Sequence, residues 1–154
     1  MLIIIYIAAL CAANYLVYVF GPLWSIVNSF LLIGFDFILR DKLHEKLGLL
    51  KISYVVLSAA ILSYVINPAG GSIAIASGIS FLCASFTDGL VYQGLIKKQW
   101  VIKSNVSNVA ASAVDSVLFP VIAFGAFMPW IITGQFITKV FGGFVWSLLL
   151  RKIK

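Results

Sequence analysis

Six long apolar runs are separated by short clusters of turn formers and charges. The first run, Leu2–Phe20, stops at Gly21-Pro22, and the second, Leu23–Leu39, enters the charged stretch Arg40-Asp41-Lys42-Leu43-His44-Glu45-Lys46. The third, Leu50–Ile66, ends at Asn67-Pro68-Ala69-Gly70-Gly71, and the fourth, Ser72–Ile96, at Lys97-Lys98. The fifth, Ser104–Phe127, stops before Pro129, and the sixth, Trp130–Leu150, is closed by Arg151-Lys152-Ile153-Lys154. Crossing a hydrocarbon core of ~30 Å takes about 20 helical residues, so each run has roughly the length of one crossing. The pattern predicts an all-α fold: a six-helix transmembrane bundle forming a single transmembrane domain over residues 1–154. Met1-Leu2-Ile3-Ile4-Ile5-Tyr6 leads directly into the first run with no basic stretch or cleavage site, which reads as a retained helix rather than a signal peptide.

Composition narrows the class further. Of the 154 residues, 62% are hydrophobic and 10% charged, against about 45–50% and 25% in soluble domains. With a mean hydropathy of +1.10, a soluble globule and a disordered chain are both excluded. Cys11 and Cys83 lie within apolar runs and read as packing residues rather than a disulfide scaffold. The net charge of +6 is informative through its placement. Ten of the eleven basic residues follow runs two, four and six, and none follows runs one, three or five. With six crossings these sets lie on opposite sides, and the positive-inside rule puts both termini in the cytoplasm of a multi-pass protein of the inner (cytoplasmic) membrane. Trp24, Trp100 and Trp130 sit at run ends, where an interfacial aromatic belt belongs.

Four ionisable residues fall inside the runs: Asp36, Asp88, Asp115 and Lys139. Each costs roughly 2.5–3.5 kcal/mol at a helix centre on insertion scales, so they should face the bundle interior and find partners. Counted at 1.5 Å per residue from the nearest basic residue at a run end, Asp115 and Lys139 lie about 18 Å deep, Asp88 about 13 Å and Asp36 about 6 Å. Asp36 is thus expected near the interface in a structural ion pair with Arg40 four residues on, and the other three near the midplane. Asn105, Asn108, Ser112 and Asp115 share one helical face, as do Gln135 and Lys139, and Asn28 lies on the side of Asp36. The nine residues Ala84–Tyr92 recur 27 positions later as Ala111–Phe119, with Ala-Ser, Asp, a small residue and an aromatic in register. Adjacent helices run in opposite directions, so both Asp residues would face one cavity, as at carrier repeat interfaces.

Asp88-Gly89-Leu90-Val91-Tyr92, Lys97-Lys98-Gln99-Trp100, Ser104-Asn105-Val106-Ser107-Asn108 and Asp115 through Gly125 resemble the vitamin uptake transporter family. The likeness is strongest over residues 84–125 and extends to Arg40-Asp41-Lys42-Leu43-His44-Glu45. It implies a six-helix fold akin to the substrate-binding subunits of energy-coupling-factor importers. It also implies a transporter of queuosine precursors, 7-cyano-7-deazaguanine or its aminomethyl relative. A guanine-like base offers two adjacent donors to a carboxylate and an acceptor to an amide or ammonium. Asp88 or Asp115 would hold the donor edge, and Asn105, Asn108, Gln135 or Lys139 the rest. Tyr92, Phe119 and Phe81 could stack on the ring. Since the four intramembrane ionisable groups sum to two negative charges, Asp115 or Asp88 is also a candidate for proton or ion coupling.

Two other readings stand beside this one. The chain could be a substrate-binding subunit that docks a coupling module, or a second copy of itself, through Ala8, Ala9, Ala12 and Ala13. It could instead be a structural or assembly protein whose buried ion pairs fix helix register. An enzyme is not expected. His44 stands alone at headgroup level, and no nucleophile–base pair, phosphate loop or metal-ligand cluster points to a cofactor or metal. Nor is nucleic acid an expected partner.

Overall fold

A computed structural model describes residues 1–150, and every element in them is helical. Helix α1 is Leu2–Phe20. Helix α2 covers 24–47 and contains one π-helical stretch, Ser29–Ile33. Helices α3 (Leu49–Ile66), α4 (Gly71–Gly94), α5 (Trp100–Phe124) and α6 (Pro129–Leu150) follow. Gly48, with φ 81°, joins α2 to α3 by itself, a conformation that side chains other than glycine rarely adopt. Gly125, in the left-handed region at φ 67°, ends α5.

The bundle buries polar groups within an apolar core and is apolar without. Ile4, Ile61, Val65, Leu90, Trp130 and Leu149 are all more than 60% exposed. Asp36, Arg40, Asp41, Asp88, Asp115, Gln135 and Lys139 are buried. Such a distribution fits a surrounding of lipid, where the exterior has no water to satisfy polar groups. Helices α1, α4, α5 and α6 are long and apolar enough to cross a membrane. The apolar stretch Leu50–Ile66 is shorter, 17 residues, or about 26 Å at the helical rise, a mismatch that local thinning of the bilayer accommodates. Helix α2 has the length, but its second half carries the charged stretch.

Small residues set the closest approaches. Between α4 and α5, Ala84, Ser85, Ala111 and Ser112 are all buried at matching positions of the nine-residue echo, allowing the backbones to come near. The π stretch of α2 meets α6 at glycine. A Cβ on Gly142 would lie 2.6 Å from the Phe30 carbonyl oxygen, and one on Gly34 would lie 2.9 Å from the Gly142 carbonyl carbon. The π stretch also changes register. Two α-turns take about 7.2 residues, and one inserted residue makes about 8.2. Asn28 and Asp36, eight apart, therefore come into line on the buried face of α2.

That register corrects one expectation. Asp36 is fully buried rather than interfacial, because α2 continues to Leu47. Arg40, from which the shallow depth was counted, is itself inside the bundle, 1% exposed.

Candidate functional site

The interior polar groups form two levels. The first lies nearer the ends of α2 and α4 that carry the basic residues, and the second nearer the opposite ends of α5 and α6. Arg40 and Asp88 stand about 10 Å from the ends of α2 and α4 that carry the basic residues. Asp115 and Lys139 stand about 15 Å from the other ends of α5 and α6.

At the second level Lys139 Nζ pairs with Asp115 Oδ2 at 2.7 Å and donates to Gln135 Oε1 at 2.7 Å and Ser116 Oγ at 3.2 Å. An ammonium has three donors, so all are placed. Gln135 Nε2 donates onward to Ser25 Oγ (2.8 Å), whose hydroxyl donates to the Pro22 carbonyl (2.5 Å). Asn28 Nδ2 donates to the Ala13 carbonyl at 2.8 Å and Asn14 Nδ2 to Ser63 Oγ at 3.0 Å, fastening α1 to α2 and α3. These groups wall a cavity of about 300 Å³, of which about 20 Å³ can take the centre of a water molecule. A ring therefore enters only as the walls part. Phe81 and Phe119 supply flat faces to the same cavity. Each is fixed by an edge-on ring: Phe37 against Phe81 at 5.7 Å and Phe124 against Phe119 at 6.0 Å. Asp115 Oδ1 has no hydrogen-bond partner among the described residues.

At the first level Arg40 Nη2 lies 3.4 Å from Asp88 Oδ1, and Nη1 donates to Ser85 Oγ at 3.4 Å. The guanidinium rests on the Phe37 ring, 4.5 Å from its centroid. Asp41 accepts from Ser104 Oγ and from Asn108 Nδ2 (3.3 Å). Toward the basic end, Glu45 Oε1 accepts from Tyr92 Oη at 2.6 Å and Lys103 Nζ at 2.9 Å. Burial alone would raise the Glu45 carboxyl, but these two hydrogen bonds and the Lys103 charge outweigh it and hold the group below its ordinary value.

Of the residues singled out from the sequence, Asp115, Gln135, Lys139, Phe119 and Phe81 come together at the cavity. Asp88 and Asn108 belong to the other level. Tyr92 is tied to Glu45 instead of lining the cavity. Asn105 turns to α6, donating to Ser147 Oγ at 2.9 Å and to the Val101 carbonyl at 2.7 Å. The expected Asp36–Arg40 pair is replaced by Arg40–Asp88. The long Arg40 side chain reaches across to α4, and neither Asp36 oxygen has a hydrogen-bond partner among the described residues. Arg40, Asp41, Ser104, Ser25 and Asn14 were not expected in the interior network. Arg40 and Asp41 stood in the charged stretch that closes run two, and nothing in the pattern singled out Asn14, Ser25 or Ser104 from other polar residues of the apolar runs.

No curated protein and no solved structure gives a significant match to the chain. Residues 6–150 match the family described as "Putative vitamin uptake transporter". That span takes in all six helices, both ion-pair levels and the cavity between α1, α2, α4, α5 and α6. The chain is a multi-pass membrane protein that belongs to the vitamin uptake transporter family, and its cargo is a small molecule.

Proposed function

We propose that the protein imports a 7-deazaguanine queuosine precursor, such as 7-cyano-7-deazaguanine, bound in the cavity between Phe81 and Phe119. The observation that carries this reading is Asp115, whose Oδ2 is fixed by Lys139 while Oδ1 stands unpartnered at the cavity. A carboxylate oxygen has two lone-pair sites. Asp115 can thus keep Lys139 and still accept both donors on the edge of a guanine-like base. Gln135 and Asn28 bring amides to the same walls, and Phe81 and Phe119 bring aromatic rings to them on which a base can stack. The motif likeness over residues 84–125 points to the same cargo class. In this reading the basic helix ends and both termini face the cytoplasm.

The test is thermal stabilisation of the purified protein by a panel of 7-deazaguanines, guanine and vitamins. A ligand at 100 times its Kd stabilises by about 2.7 kcal/mol. 7-Cyano-7-deazaguanine should raise the melting temperature, and Asp115→Asn should abolish that rise. Because Asp115→Asn also disturbs Lys139, Phe119→Ala gives a separate check. It leaves the ion pair in place and should weaken binding by about 1–3 kcal/mol, the worth of stacking one base. A panel in which only a vitamin stabilises the protein, or an unaltered response in both variants, would overturn the assignment.

A further inference from the structure

Asp36 is the unexplained charge of the interior. It is 0% exposed, and neither carboxylate oxygen has a hydrogen-bond partner among the described residues. The Tyr6 hydroxyl, also fully buried, has none either. Asp36, Arg40 and Asp115 all act electrostatically on the Tyr6 hydroxyl. An ionised carboxylate without hydrogen-bond partners in such a place carries a prohibitive desolvation cost, and a buried group avoids it by taking up a proton.

The charge inventory agrees. Asp36, Asp41, Asp88 and Asp115 share the interior with the buried cations Arg40 and Lys139, while the third buried cation among the described residues, Lys103, is taken by Glu45. Two protons would balance this. One belongs with Asp41 and Asp88, two carboxylates that share the single guanidinium of Arg40 as counter-charge. The other falls to Asp36. The charged and titratable groups that bear on Asp36 are Arg40 on its own helix and Tyr6 and Cys11 on α1, while α4 and α5 bring the apolar Phe81, Ala84 and Ala111 to the surrounding core. Helix α3 brings the apolar Ile52, Val56 and Ala59 to this core.

We propose that Asp36 holds a proton in the conformation described and is the proton-carrying group of transport, with Arg40 as its switch. Arg40 sits four residues after Asp36, the spacing of a helical ion pair, yet is engaged by Asp88 at 3.4 Å, with Nε and Nη2 lacking hydrogen-bond acceptors among the described residues. When Asp36 loses its proton, Arg40 is one turn away and can exchange Asp88 for Asp36. That exchange loosens α2 from α4. When Asp36 regains the proton, Arg40 returns to Asp88. Only the O–H bond on Asp36 forms and breaks: the proton is taken from water when the bundle opens to one side and given to water when it opens to the other. The cavity is linked to this exchange through Phe81, whose edge partner Phe37 lies under the Arg40 guanidinium. A ring stacked on Phe81 therefore bears on the side chain that chooses between the two carboxylates.

This inference rests on the transport reading for its role but not for its protonation, and the experiment separates them. Asp36→Asn copies the protonated carboxyl in shape and charge. Its melting temperature should equal or exceed that of the native protein, whereas Asp88→Asn and Asp115→Asn, which strand Arg40 and Lys139, should lower it. Failure of Asp36→Asn to fold, or a loss as large as that of Asp88→Asn, overturns the proposal. Infrared spectra at neutral pH should show protonated-carboxyl absorption with one component that Asp36→Asn removes and another, from Asp41 and Asp88, that it leaves; unchanged absorption also overturns the proposal. In proteoliposomes with an imposed pH gradient, native protein should accumulate labelled 7-cyano-7-deazaguanine. Asp36→Asn should only equilibrate it, losing the gradient-driven part, and accumulation equal to native would refute the coupling role. If the infrared band behaves as expected but native protein moves no deazaguanine, the cargo assignment fails and the protonation of Asp36 stands.

Discussion

Lys139 shows how far single residues in this interior are constrained. Its three donors are all taken, by Asp115, Gln135 and Ser116, so it orients the carboxylate, whose Oδ1 has no hydrogen-bond partner among the described residues. Glu45 plays the corresponding part at the basic end, where it gathers Tyr92 of α4 and Lys103 of α5 on one oxygen. Lys103 lies over the Tyr92 ring at 4.5 Å, closing the triangle. The Glu45 carboxyl is held below its ordinary value by those partners against the opposing effect of burial. A carboxyl lowered on folding contributes stability that is present above its unfolded value of about 4.3 and lost as pH falls through its folded value. Native protein should therefore melt above Glu45→Gln at neutral pH, with the gap closing only in acid below about pH 4. Melting curves of both proteins across that range check this, and a gap that stays constant into acid would remove Glu45 from the account. The residue-level misreading was of a different kind. Asp36 and Arg40 have the spacing of a helical pair, but spacing along one helix does not show a carboxylate reaching in from another. Asp88 does that from 48 positions away.

The helices themselves were readable because each apolar run is bounded by Gly, Pro or charge. Helix α1 matches its run, Leu2–Phe20, and the other helices begin and end within a few residues of theirs, apart from two. Helix α5 starts at Trp100, ahead of Ser104, and α2 runs on through the charged stretch to Leu47. Those charges looked like a loop because their compensation is remote: Asp41 meets Ser104 and Asn108 of α5, and Glu45 meets Lys103. The π stretch left no sequence mark, yet it aligns Asn28 with Asp36 and brings the Phe30 carbonyl against Gly142. That contact is the most exacting in the bundle, because the obstacle is backbone on both sides. Gly142→Ala should cost about 1–3 kcal/mol through forced backbone shifts. Gly94→Ala, whose Cβ would meet nothing within 4 Å, should cost nothing measurable. Gly134→Ala meets only the Ile26 side chain, at 2.7 Å from its Cδ1, and should fall between them. Denaturation of the three variants in detergent orders them, and equal stability of Gly142→Ala and Gly94→Ala would show that the α2–α6 contact is looser than described.

For the molecule as a whole, taking Arg40 into the interior changes what the charges mean. It no longer serves as an orientation signal, and Lys103 is bound to Glu45. Lys42, Lys46, Lys51, Lys97 and Lys98 still stand at one end of the bundle, and no described Lys or Arg stands at the other. Arg151, Lys152 and Lys154 lie outside the described residues. The orientation signal thus survives the loss of its first member, because it depends on the contrast between ends rather than on the total. The buried excess of negative charge is a separate matter. It was countable from sequence, but the sequence could not show that it divides into two levels with Asp36 between them, since that depends on which helices touch. Orientation and buried charge combine in one expectation. If protons drive cargo inward, the basic end must face the cytoplasm and the cavity, nearer the other ends of α5 and α6, must open outward. Single cysteines at Lys98 and Ala126, in a protein with Cys11 and Cys83 replaced by alanine, test the first half directly. A membrane-impermeant maleimide should label Ala126→Cys in intact cells and Lys98→Cys only after permeabilisation. The reverse pattern would invert the molecule and, with it, the direction in which Asp36 could pass a proton.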